Sequence, residues 1–175
     1  THRAPARTAR SGAHRGVTFH ARYAPDQPFP SYAHQPGLTP HPRTHPEGHS
    51  YDIPEYAGPS ASEQAWSECS AYLYGVDLFN HRYYWEAHEA WEGLWKTAPQ
   101  SSILARFLRG LVQLAAMQIK LRDGNERGAN KLRIKALDNL AIHMDSEAYM
   151  GLDLAAFCQR IAQKPSAALH LQLAL

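Results

Sequence analysis

From residue 61 onward, apolar positions recur every three to four residues, and Gly, Pro and Asn signals divide the pattern into successive helical segments. Ser60 with Glu63 three positions later reads as a capping box for a helix over about 61–80, with Trp66, Cys69, Leu73, Val76 and Phe79 near one face. Asn80 and His81 punctuate it. A second helix over about 82–97 stops before Pro99, and a third starts after Ser101 or Ser102 and runs to Arg122, where Asp123-Gly124-Asn125 form a turn. A fourth extends to about Met144, presenting Leu132, Ala136, Leu137, Leu140 and Met144, and a fifth runs from Asp153 to about Gln163 ahead of Pro165. The tail alternates Leu169, Leu171, Leu173 and Leu175 with other residues, as a short extended segment or a last apolar turn laid on a bundle would. Short connections favour antiparallel neighbours, and neither a βαβ rhythm nor a long repeat occurs. The expected fold is all-α, a compact antiparallel bundle of four to five helices.

Residues 1–60 break this pattern. They hold 10 of the 12 prolines and 7 of the 11 histidines but only five residues from Val, Ile, Leu, Met and Phe. Prolines at 28, 30, 36, 40, 42, 46, 54 and 59 remove donors and bias the preceding residues away from helix, so this stretch is expected to be extended and rich in turns. The chain therefore divides into a non-globular arm, 1–60, and a helical domain, 61–175. Residues 1–22 have almost nothing to bury and become ordered only by lying on a surface. An arm packed on its own or a neighbouring subunit, in a homo-oligomer such as a dimer, is expected.

Charge and composition narrow the function classes. The net charge of +2 is too small for a nucleic-acid footprint, and no basic patch accompanies Tyr83, Tyr84, Trp85, Trp91 and Trp95, which read as core and strap-packing surface. No membrane partner is expected, because the longest uncharged helical stretch, about 110–119, is far short of the roughly 20 residues a span needs. Cys69 and Cys158 lie in amphipathic sequence and suggest neither a disulfide scaffold nor a zinc site, which leaves the cytoplasm as the default compartment.

The densest chemistry falls on the second helix, in Glu86-Ala-His88-Glu89-Ala-Trp91-Glu92. At about 100° per residue, His88, Glu89 and Glu92 share an arc of roughly 100°, while Glu86 reaches only Glu89. One imidazole and two carboxylates suit a divalent metal such as zinc, manganese or iron, although one helix comfortably supplies two ligands and a third would come from elsewhere. The third helix carries a polar stripe of Arg106, Arg109 and Gln113 that can face the Glu86, Glu89 and Glu92 carboxylates and satisfy them without metal. A proline-spaced histidine set, His41, His45 and His49, fits a rigid strap. Alternatively, the strap closes over the second helix and His49 or His41 completes a His88–Glu92 site.

The run FNHRYYWEAHEAWEGLWK, followed by RFLRGLVQLAAMQIKL and GNERGANKL, resembles a bacterial and archaeal family known as domain of unknown function three-zero-nine, which also carries the label predicted metal-dependent hydrolase. The resemblance covers about residues 65–145. The family pattern falls on Phe79, Asn80, Glu86, His88, Glu89, Glu92, Trp95, Gly110, Leu111, Gln113 and Ala115, and it implies a small all-α fold. Arg109 departs from it, standing where members often carry Gln, and a cation there disfavours a metal pocket. Two functional expectations follow. One is a metal-assisted hydrolase with His88, Glu92 and Glu89 as ligands and Glu86 or Glu89 as the catalytic base. The other is a non-catalytic helical domain that dimerises and binds partners, its carboxylates closed by Arg106, Arg109, Gln113 and His49.

Overall fold

In a computed structural model of the chain, residues 21–55, 58–141, 148–163 and 169–174 are described. They form five α-helices: α1 (Ser70–Asn80), α2 (Tyr84–Thr97), α3 (Ile103–Arg122), α4 (Glu126–Leu140) and α5 (Leu154–Gln163). Each helix packs on the next in chain order, the α3–α4 contact being the most extensive. Among the described residues no strand forms. Isolated bridges join Leu152 to Tyr149 and to Leu173. No described helix is long and apolar enough to cross a membrane.

Local chemistry explains how the last three helices start. The Ser102 side chain accepts from the Ala105 backbone N–H at 3.1 Å and starts α3. Gly124, at φ +72°, closes the turn after α3, and the Asn125 side chain accepts from Gly128 N–H at 2.8 Å to start α4. Asp153 caps α5 through the Ala156 N–H. The core is built from side chains such as Tyr72, Phe79, Trp91, Phe107 and Phe157, each burial stabilising by about 1.5–3 kcal/mol. Gly75 is required where α1 crosses α2, because a Cβ there would lie 2.3 Å from Trp91 Nε1.

The first helix is shorter than its periodicity predicts. It begins at Ser70, preceded by a single 3-10 turn over Trp66–Glu68, and the Ser60–Glu63 capping box does not form. Ser60 Oγ instead donates to the Thr97 carbonyl at 2.6 Å, serving the end of α2. Glu63 lies beside Tyr149, whose hydroxyl pKa is pushed up by burial first and by Glu63 second. Both residues meet partners distant in sequence, which a local cap cannot outweigh. In the tail, Leu169, Leu171 and Leu173 are buried, and the Asn80 amide brackets Leu171 by donating to its carbonyl and accepting its N–H. Met144, Pro165, Leu175 and the arm as far as residue 20 lie outside the described residues.

Residues 21–55 form an irregular strap across α1 and α2. Two buried carboxylates dock it. Asp77 of α1, fully buried, accepts the backbone N–H groups of Tyr23 and Ala24, both at 2.8 Å, and the Arg22 Nε–H at 3.3 Å. Glu86 of α2 accepts the His34 N–H at 2.7 Å and pairs with His49 Nε2 at 2.9 Å, both on Oε1. Rings seal the remainder: Phe29 stacks on Tyr83 at 5.0 Å, and His34, His41 and His49 stand edge-on around Trp85.

Candidate metal centre

On α2, positions 88, 89 and 92 point away from the core side occupied by Ala87, Trp91 and Leu94. His88, Glu89 and Glu92 each offer a ligand atom, and these atoms lie within 4.8 Å of one another. Their side chains are 26%, 25% and 29% exposed, so water reaches the group while the helix holds its backbone rigid. His88 Nδ1 is 3.7 Å from Glu89 Oε1.

Two cations hold the carboxylates. Arg43, from the strap, donates from Nε to Glu89 Oε2 at 2.9 Å and from Nη1 to the Ile53 carbonyl at 3.1 Å. Lys96, one turn along α2, lies 3.4 Å from Glu92 and 3.5 Å from Glu55 of the strap. Burial alone would push the Glu89 carboxyl pKa up, but the neighbouring His88 ring and the charge and hydrogen bond of Arg43 outweigh it and bring the pKa below the usual carboxylate value.

Residues 72–132 match the family model of a domain of unknown function (DUF309). The resemblance carried by the α2 and α3 motifs is thus present over these residues, and the matched stretch contains the whole cluster. The family description names no activity. No curated protein matches the chain.

The other residues singled out from the sequence are distributed differently. Arg106 turns to α4, where Nη2 donates to the Asp138 carbonyl at 3.0 Å, and Gln113 Oε1 accepts from Asn139 Nδ2 at 2.9 Å. The Arg109 guanidinium lies 5.9 Å from the Trp95 ring centre. The expected closure of the α2 carboxylates by an α3 stripe is corrected accordingly. α3 is packed between α2 and α4, and Arg106 and Gln113 lie on its α4 side. His49 reaches Glu86, not the His88–Glu92 pair. Glu86, with its side chain 5% exposed, is committed to docking the strap and is not part of the cluster.

Arg43, Lys96, Glu55, Asp77 and His34 are the participants that pattern reasoning passed over. Only Lys96 carried a local signal, being four residues from Glu92 on one helix face. Grooves of about 550, 390 and 430 Å³ lie elsewhere, lined by residues within 148–163, 172–174 and 59–71, and no cluster residue lines them.

Proposed function

We propose that the helical domain binds a divalent transition metal through His88, Glu89 and Glu92 and uses it for hydrolysis. The convergence of three ligand atoms within 4.8 Å on one helical turn carries this reading. One imidazole nitrogen and two carboxylate oxygens fit zinc, manganese or iron, and three protein ligands leave room for water or substrate. When bound, such a metal activates water and polarises the bond to be cleaved. Arg43 helps keep Glu89 ionised, as a ligand must be. Glu86 is not the proton acceptor in this reading, because its Oε1 is taken by the strap and the residue lies outside the cluster. Two unpaired thiols, Cys69 and Cys158, suit a reducing compartment, and we place the protein in the cytoplasm.

A second reading draws support from Arg43 on Glu89 and His49 on Glu86. In it these contacts only latch the strap to a non-catalytic domain that dimerises and binds partners through its arm. Elemental analysis of untagged protein, beside a His88→Ala, Glu92→Ala double variant, separates the two. Near-stoichiometric zinc, manganese or iron in the parent that disappears in the variant, with a melting temperature changed by less than about 4 °C, fits the metal site. Absence of metal, or metal retained by the variant, overturns it in favour of the latch.

A further inference from the structure

Arg43 and Lys96 flank the cluster from opposite origins, one on the strap and one on α2, and each is held by a carboxylate that would ligate a metal. Glu55, Glu89 and Glu92 together outweigh these two cations by one negative charge. A divalent ion taken up by His88, Glu89 and Glu92 reverses that sign. It also draws the charge of Glu89 and Glu92 away from Arg43 and Lys96. Their side chains are 28% and 50% exposed, so both can meet a ligand from solvent without unfolding the strap.

The geometry points to a phosphoryl oxyanion as the group this site takes once loaded, with Arg43 and Lys96 as its specificity-determining residues. This inference rests on the metal reading above. A phosphoryl group presents three peripheral oxygens, enough to meet the metal, a planar guanidinium and an ammonium together, whereas a carboxylate presents two. Guanidinium pairs with phosphate in fork geometry, and its Nη1 bond to the Ile53 carbonyl orients Arg43 beside α2. Lys96 contributes a compact charge. The substrate class is therefore a phosphate ester, and inorganic phosphate is the product-like ligand of the same site.

The test loads the full chain with one equivalent of manganese or zinc, removes free metal, and titrates inorganic phosphate, phenyl phosphate and acetate by calorimetry. Metal-dependent binding of both phosphates with at least tenfold weaker acetate binding is expected. Arg43→Gln should weaken phosphate binding about tenfold or more while metal binding persists. Lys96→Gln, on an exposed side chain with no part in the core, should weaken it several-fold and guards against a folding defect in the first variant. Binding of inorganic phosphate alone keeps the oxyanion site but removes the ester. A metal-loaded chain that ignores phosphate, or binds it equally well in both variants, overturns the inference and leaves the metal site standing. A parent chain that takes up no metal overturns both.

Discussion

Replacing Asp77 by Asn tests how the strap is held. The carboxylate is fully buried and its two oxygens receive three donors: Tyr23 N–H on Oδ1, and Ala24 N–H and Arg22 Nε–H on Oδ2. An amide keeps one acceptor oxygen and turns an NH2 group toward donors on the other side. One strap N–H is left unsatisfied, at about 1–3 kcal/mol, and the charge-assisted Arg22 contact is lost, at about 1.5–3 kcal/mol when such a bond is well formed. Arg22 is a fifth exposed and its contact is long, so the lower end applies to it, giving a combined loss of about 3 kcal/mol. The ceiling is the docking free energy of the strap end, because residues 21–24 can peel away and let water satisfy the freed groups. For a chain of this length, about 3 kcal/mol lowers the melting temperature by roughly 6–12 °C. Urea unfolding followed by tryptophan fluorescence measures the loss, and hydrogen exchange at Tyr23 and Ala24 localises it. A loss below about 0.5 kcal/mol, or undiminished protection of those two amides, refutes the assignment of Asp77 as the anchor.

Two further predictions concern the same packed region. Gly75→Ala puts a methyl group 2.3 Å from Trp91 Nε1 in a fully buried site, and overpacking of about 1–3 kcal/mol should lower the thermal midpoint; an unchanged or raised midpoint contradicts the contact. His34 has its pKa held below 6.5, chiefly by burial, with His41, His49 and Arg122 acting in the same direction and Glu86 opposing. The unfolded chain takes up a proton on this residue as pH falls through about 6.5, while the folded chain resists, so stability should decline from pH 6.5 down to the depressed folded value and then level off. Comparing urea midpoints at several pH values for the parent and His34→Gln checks this, since the variant should lose that part of the slope. The Glu89 contribution has the same sign but belongs to a lower window, lost as pH falls from about 4.5 through its depressed folded pKa.

Much of the fold was legible along the chain. α2 and α3 lie within two residues of their predicted limits, because Pro99, Ser102 and the Asp123-Gly124-Asn125 turn act on their own neighbourhoods. The His88, Glu89 and Glu92 trio followed from helical phase for the same reason. What failed did so where a local signal met a distant partner. Ser60 and Glu63 had the spacing of a cap but were taken by Thr97 and Tyr149. Arg106 and Gln113 shared a face, but the phase of a helix does not say which neighbour that face meets, and α4 claimed it.

By itself the sequence determined the helical character of most of the described residues between 70 and 163, the turns on either side of α3 and the set of side chains that share the outer face of α2. Those properties depend on backbone sterics, capping groups and a rotation of about 100° per residue, all local in range. Only the tertiary structure decided what meets that face. Glu89 finds its arginine 46 positions earlier in the chain, and Glu86 its histidine 37 positions earlier, on a strap with no periodicity to reveal its path. Its course is set by buried carboxylates seeking backbone donors, an interaction that exists only once the helices have packed.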